Sequence, residues 1–110
     1  KLVYGETCFI LTGDASKEVE MKIVKKYPTE IDCDVLKVGH HGSHTSSEEK
    51  FIGLVSPKYS VISAGKDNRY GHPHKEVVEI LNKFNSEIKN TAESGTVTFW
   101  SDGKQIVFDN

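Results

Sequence analysis

The feature that most constrains this chain is a short apolar run at 35–38 that leads into two adjacent histidines, His40 and His41, with a glycine on either side of the pair. The run is too short for a helix and rich in β-branched residues, which predicts a buried strand. The flanking glycines allow the backbone to turn sharply and to approach a bound group closely. Imidazoles at the end of a buried strand are well placed to bind a metal ion. The alternative is a structural histidine in an ordinary turn.

Short apolar runs alternate with helical patterns along the rest of the chain. The predicted elements are strands 1–4 and 7–12 joined by a two-residue turn, a helix over 15–27, the strand 35–38, a short helix opened by a Ser46–Glu49 capping box, a strand at 59–63, a helix with Pro73 as its first residue, a strand around Ile88, and a hairpin of 96–100 with 105–108. The run 8–11 is apolar throughout, as expected of a strand buried on both faces. The alternation β-α-β-α-β-α-β-β is typical of an α/β fold.

Size and composition set limits on what the chain can do. Its 110 residues allow one small domain, and the 36% hydrophobic and 27% charged content is ordinary for a soluble globular chain. The net charge of −2 offers no broad basic surface, so this segment alone should bind nucleic acid weakly. Cys8 and Cys33 lie in or beside apolar runs and are interpreted as buried, unpaired residues rather than a disulfide or metal pair. No run approaches the length of a membrane span, so this segment should make no membrane contact itself, and its start within a strand pattern suggests a piece of a longer protein.

Polar side chains follow three of the predicted strands at the point where each strand ends. Asp14 follows the second strand, His40 and His41 follow the third, and a polar loop at 68–72 follows the fourth. If these strands are parallel neighbours, the three loops meet at one edge of the sheet, which is the usual ligand crevice of α/β proteins. Carboxylate and imidazole groups there suit zinc, manganese or iron, and such an ion would supply hydroxide near neutral pH. Asp14 could instead cap the helix that follows it.

These segments together resemble the C-terminal half of a metallo-β-lactamase-fold hydrolase. The similarity is greatest to the hydrolase domain of ComEC-type competence proteins and their free-standing relatives. It runs through Thr-Gly-Asp at 12–14, the stretch 34–43 with its Gly-His-His-Gly-Ser, and 63–65 leading to 68–74. The resemblance implies an α/β fold that is half of an αββα sandwich, with one mixed sheet and helices on one face. Residues 1–110 would then form a partial domain of this kind.

The resemblance also implies a role for each residue at the predicted edge. Asp14 would bridge two metal ions, and one of the pair His40 and His41 would be a further ligand, with His40 preferred because it ends the strand directly. His72 would contact the scissile group, and Asn68 would act with it in the catalytic loop. The implied substrate-binding residues are Ser43, Arg69 and Tyr70. The implied reaction is hydrolysis of a phosphodiester, with DNA as substrate during competence-related uptake.

The sequence departs from the resembled family in one important respect. The main metal motif of that family, His-x-His-x-Asp-His, does not occur among the 110 residues. The resemblance therefore implies two divalent ions, zinc or manganese, in the full-length protein, but weak or no metal binding and no activity for this segment alone. An exposed sheet face would be covered by the missing N-terminal half of the domain, by a second copy in a homo-oligomer, or by another partner.

Two further questions stay open at the level of sequence. A competence protein would carry this domain on the extracytoplasmic face of the membrane, whereas a free-standing relative could be cytoplasmic or secreted. The alternative function is a non-catalytic module of the same fold that binds phosphate or a partner through the same loops. Likeness of fold does not by itself assign a substrate.

Overall fold

The computed structural model describes residues 1–109. Its elements are β1 (Leu2–Tyr4), β2 (Thr7–Leu11), α1 (Lys17–Lys26), β3 (Val35–Lys37), α2 (Glu49–Val55), β4 (Tyr59–Ile62), α3 (Lys75–Lys83), β5 (Glu87–Asn90), α4 (Thr91–Ser94), β6 (Thr98–Ser101) and β7 (Ile106–Asp109). The predicted α/β alternation is confirmed, and the short helix α4 is an addition. Among these helices, none is long and apolar enough to cross a membrane.

Within residues 1–109, strands β1 to β5 form one mixed sheet in sequence order, and β6 pairs with β7 in a separate two-stranded sheet. β1 runs antiparallel to β2 across the predicted two-residue turn, while β2, β3, β4 and β5 are parallel to one another. Parallel neighbours require crossover connections, and α1, α2 and α3 lie in these connections. The prediction of a mixed sheet is confirmed in part, because β6 and β7 lie outside it. The assignment to half of an αββα sandwich stays a prediction.

The helices cover one face of the large sheet. Alternate strand residues Ile10, Leu36 and Ile62 belong to the same buried cluster as the helix residues Val24, Phe51, Ile52, Val55, Val77 and Leu81. Each such side chain stabilises the fold by roughly 1.5–3 kcal/mol through removal of apolar surface from water. This cluster fixes the carboxyl ends of β2, β3 and β4 at one rigid edge.

The β6–β7 hairpin covers part of the opposite face. The ring of Phe99 lies 6.3 Å from that of Phe9 and 5.1 Å from that of Tyr59, measured between ring centroids. Thr7 at the start of β2 also shares a 2.7 Å hydrogen bond with Ser101. Leu11, at the other end of β2, is 65% exposed, so the prediction that this strand is buried on both faces is wrong at its last residue.

Three predicted helix starts are wrong in detail. α1 is capped by Ser16, whose hydroxyl accepts a hydrogen bond from the Val19 amide, so Asp14 does not serve as the cap. The predicted capping box of α2 does not form, because the Ser46 hydroxyl instead donates to the Ala15 carbonyl at 2.6 Å. Pro73 lies two residues before α3 rather than in its first turn, and His74 is at the N-cap position. In each case a tertiary contact or a neighbouring residue replaces the local signal.

Cys8 and Cys33 form a disulfide, with their Cα atoms 5.3 Å apart. They are 8% and 4% exposed, so the prediction of burial is confirmed and the prediction that they are unpaired is wrong. The parallel register that places Phe9 opposite Val35 brings the two sulfurs together. Since this register is a tertiary feature, residue spacing alone did not reveal the pair.

Candidate functional site

The three predicted loops do follow adjacent parallel strands. Leu11, Lys37 and Val61, near the ends of β2, β3 and β4, lie opposite one another in register. Asp14, His40 with His41, and the 68–72 loop therefore all leave the same edge of the sheet, as the sequence predicts. The backbone amide of His40 donates to the carbonyl of Gly13 at 2.9 Å, which joins the β2 and β3 loops directly.

A left-handed turn presents the two adjacent histidines. His40 has φ 47° and ψ 45°, His41 has φ 58° and ψ 21°, and Gly42 follows with φ 85°. Two successive non-glycine residues in this region cost roughly 1–2 kcal/mol each. Such strain persists where the surroundings impose it, and it is concentrated at functional sites. The turn is therefore a feature that packing maintains against the local preference of the chain.

Three imidazoles from two loops form a cluster at this edge. The ring centroid of His72 lies 5.9 Å from that of His40 and 6.4 Å from that of His41. The rings of His72 and His41 are stacked, with 15° between their planes. His41 Nδ1 donates to the backbone carbonyl of Ser63 at 2.6 Å, because a carbonyl can only accept. This bond leaves His41 Nε2 with a free lone pair, the arrangement that is typical of metal-binding histidines. His40 Nδ1 shares a 3.2 Å hydrogen bond with Thr45 Oγ1.

The loop that carries His72 is held by Asn68. The Asn68 amide nitrogen donates to the carbonyls of Gly65 and His72, and its oxygen accepts from the His72 amide. Both ends of the Asn68 side chain are thus committed to loop structure, which gives it a positioning role. Tyr70, 60% exposed, stacks on His72 at 22° with 5.6 Å between ring centroids.

A second histidine contact joins the two loops. The Nδ1 atoms of His44 and His74 are 2.8 Å apart, and His74 Nδ1 also accepts from the His44 amide at 2.9 Å. His74 Nε2 in turn donates to the carbonyl of Tyr70 at 3.1 Å. The His44–His74 pair therefore fixes the loop of His72 against the loop of His40.

Burial and neighbouring charge shift the pKa of two groups at this edge. Desolvation lowers the pKa of His72, and the four other histidines lower it further. Desolvation also lowers the pKa of Lys37, while the nearby Asp14 carboxylate raises it. Lys37 is half-buried and donates to the Val38 carbonyl at 3.0 Å. Both net shifts favour the neutral forms of His72 and Lys37.

The predicted substrate-binding residues occupy different environments. Ser43 is 4% exposed, and its hydroxyl bonds to Thr45 Oγ1 and accepts from the Thr45 amide, so it is engaged within its own loop. Arg69 is exposed and donates to the Tyr70 hydroxyl at 2.7 Å, with its guanidinium 4.9 Å from the ring centroid. Arg69 and Tyr70 therefore face solvent beside His72, while Ser43 does not.

The donor chemistry at this edge fits a divalent ion, but the set is incomplete. Asp14, His40 and His41 offer carboxylate and imidazole ligands of the kind that zinc and manganese accept. Across residues 1–109, however, no three histidine, cysteine, aspartate or glutamate side chains are arranged to hold a metal ion. A closed metal site would therefore require ligands from outside these residues.

Sequence reasoning missed a buried carboxylate that supports the site. Glu20 on α1 is 1% exposed and accepts from the amides of Ser47 and Glu48 at 2.9 and 2.7 Å. Desolvation raises its pKa, against the lowering effect of the two amides. Its two side-chain oxygens thereby satisfy the amides of the two residues that lead into α2. The available signal was its place four residues before Val24, the other buried residue of α1.

This fold and site define an α/β domain whose parallel strands end in a cluster of imidazoles. The chain is 45% identical over 95 residues to ComE operon protein 3 of Bacillus subtilis, 39% over 104 to Recombination protein 2 of Haemophilus influenzae, and 36% over 99 to competence protein ComA of Neisseria gonorrhoeae. These alignments cover 86% to 93% of the chain but only 12% to 14% of the relatives. The similarities indicate a competence-related family. No family model matches the chain.

Proposed function

We propose that this chain forms part of the catalytic edge of a metal-dependent phosphodiesterase that acts on DNA during competence-related uptake. The observation that carries the proposal is the convergence of Asp14, His40, His41 and His72 at one edge, with His41 Nε2 free to coordinate. The relatives named for competence and recombination support DNA as the substrate. The expectation of a metallo-β-lactamase-type site rests on the sequence motifs described above.

Each residue at the edge would have a distinct part in the reaction. Asp14, His40 and His41 would hold the divalent ions together with ligands from outside residues 1–109. When bound, such an ion acidifies water and polarises a phosphoryl oxygen. The Nδ1–H of His41 is fixed by the Ser63 carbonyl, which is the support expected of a metal ligand, so His41 would be a ligand alongside His40.

His72 would interact with the scissile phosphate as a neutral imidazole. Desolvation and the surrounding imidazoles lower its pKa, so its uncharged form persists to lower pH than for an ordinary histidine. A neutral ring can exchange one proton with the reacting group, as general acid–base catalysis requires. Asn68 and the His44–His74 pair would hold this ring in place.

The test uses the longest natural polypeptide that contains this chain, stripped of metal and then supplied with zinc or manganese. We expect metal-dependent hydrolysis of labelled DNA, and we expect Asp14→Asn and His41→Gln each to lower kcat/KM by about 100-fold or more. Asp67→Asn is the matched control, because Asp67 is an exposed carboxylate in the β4–α3 connection whose φ of 54° suits asparagine. Metal content of each variant is measured in parallel.

A non-catalytic binding module is the competing function. It is favoured by the incomplete set of ligands within the part of the chain described here. DNA binding without hydrolysis, unchanged by zinc or manganese and by Asp14→Asn, would replace the enzymatic proposal with this one. Hydrolysis that is equally reduced in the Asp67→Asn control would also count against the assigned site.

A further inference from the structure

A small cavity opens beside the imidazole cluster. It has a volume of about 200 Å³ and is lined by His41, Ala64, Gly65, Asn68, Tyr70 and His72. Two of these residues, His41 and His72, also belong to the proposed catalytic edge, so a group in the cavity would lie directly next to the reacting phosphate. The cavity adds a binding feature that the hydrolysis itself does not require.

The walls of this cavity suit a flat ring. Tyr70 and His72 are stacked at 22°, and His72 and His41 at 15°, so three planar side chains present nearly parallel faces. The rest of the wall is formed by the small residues Ala64 and Gly65, which leave space for a ring. A Cβ added at Gly65 would meet only the Asn68 Cβ, at 3.9 Å. Every nucleobase has a π-face that stacks on such rings.

Tyr70 is exposed at the surface, but hydrogen bonds hold it in a fixed position. Its ring is 60% exposed, yet its backbone carbonyl is held by His74 Nε2 and its hydroxyl accepts from Arg69. An exposed aromatic residue on a braced loop costs little conformational entropy when it binds. The remaining N–H groups of Arg69 are suited to bind the phosphate of a neighbouring nucleotide.

We propose that this cavity binds one unstacked nucleobase of a single-stranded DNA segment, with Tyr70 as the stacking residue and Arg69 at the adjoining phosphate. This inference rests on the proposed function, because it assumes that the phosphate beside the base is the one cleaved. The Asn68 amide that lines the cavity is already committed to the loop, and stacking on an aromatic ring is tolerant of base identity. Base binding should therefore show little sequence preference. A base within a duplex would have to leave its stack before it could enter.

The test compares two DNA probes of equal length, an oligothymidylate and an abasic oligomer with the same phosphates. Binding is measured by fluorescence anisotropy in low salt with EDTA, on the same long polypeptide. We expect Tyr70→Leu to weaken oligothymidylate binding by about 5- to 150-fold and to leave the abasic probe unchanged. Tyr70→Phe should retain binding, and Gly65→Leu should imitate Tyr70→Leu by filling the cavity. Tyr27→Leu, at an exposed tyrosine on the α1 C-cap, is the control.

The outcomes separate this inference from the proposed function. Equal affinity for the two probes, or an equal loss of both in Tyr70→Leu, would overturn the base-binding cavity even if hydrolysis is observed. Base-dependent binding that is lost in Tyr70→Leu and Gly65→Leu supports the cavity even if no condition gives hydrolysis, in which case only the nuclease activity is rejected. Circular dichroism of each variant confirms that it is folded before its affinity is compared.

Discussion

The close contact between the loops of His41 and His72 depends on the absence of a side chain at Gly42. A Cβ at this position would lie 2.7 Å from the Pro73 Cβ and 3.0 Å from its Cα. Carbon atoms normally approach to about 3.5–4.0 Å. In addition, the Gly42 carbonyl accepts from the His74 amide at 2.9 Å, so the two backbones cannot separate without losing this bond.

We therefore expect Gly42→Ala to be strongly destabilising. The left-handed backbone, with φ of 85°, contributes roughly 1–2 kcal/mol. Overpacking against Pro73 adds roughly 1–3 kcal/mol. The free energy of unfolding should fall by about 2–5 kcal/mol in total, as measured by urea denaturation with an unchanged m-value.

Gly71→Ala provides a matched control within the neighbouring loop. Gly71 has a comparable φ of 70°, but apart from its chain neighbours no heavy atom of residues 1–109 would lie within 4 Å of an added Cβ. Only the backbone cost of roughly 1–2 kcal/mol should appear there. If both variants lose the same free energy, steric contact with Pro73 does not set the approach of the loops, and the reasoning is refuted.

Three further predictions follow from the strained turn, the buried carboxylate and the disulfide. His40→Gly should be about 1 kcal/mol more stable than His40→Ala, because glycine adopts the left-handed backbone without strain. At Lys22, which lies within α1, the alanine variant should instead be more stable than the glycine variant. If the same variant is the more stable one at both positions, the strain assigned to His40 is contradicted. Because burial raises the Glu20 pKa above 4.5, the folded protein holds this proton more tightly than the unfolded chain does. The free energy of unfolding of the natural protein relative to Glu20→Gln should thus be greatest at acidic pH and fall as pH rises through the raised pKa. The fall should be about 1.4 kcal/mol for each tenfold difference in proton affinity between the folded and unfolded states. A relative stability that increases with pH would contradict the raised pKa. Unreduced protein should show no free thiol from Cys8 or Cys33, and replacing both with alanine should cost about 3.5 kcal/mol for a loop of 25 residues, whereas two titratable thiols would restore the unpaired interpretation.

The local elements of the fold could be read from the sequence because their signals are local. The β-branched run before His40 and the apolar stripe of α3 each reflect periodicities of a single strand or helix. The polar residues after β2, β3 and β4 could likewise be recognised as one candidate site, once parallel neighbours were assumed. The roles of Asp14, His40 and His72 in catalysis remain predictions that the proposed experiments test.

Other features depend on contacts between residues that are distant in the chain. The Cys8–Cys33 disulfide and the Glu20 contacts with α2 join positions 25 to 28 residues apart. The left-handed backbone of His41 opposes the local preference of histidine, so tertiary packing rather than sequence imposes it.

The sequence by itself determined which short segments are strands and helices, and which polar residues follow them, since these depend on patterns a few residues long. Only the tertiary structure decided the strand register, the pairing of the cysteines and the stacking of Tyr70 on His72. The physical reason is that each of these contacts joins groups that come together only when the chain folds.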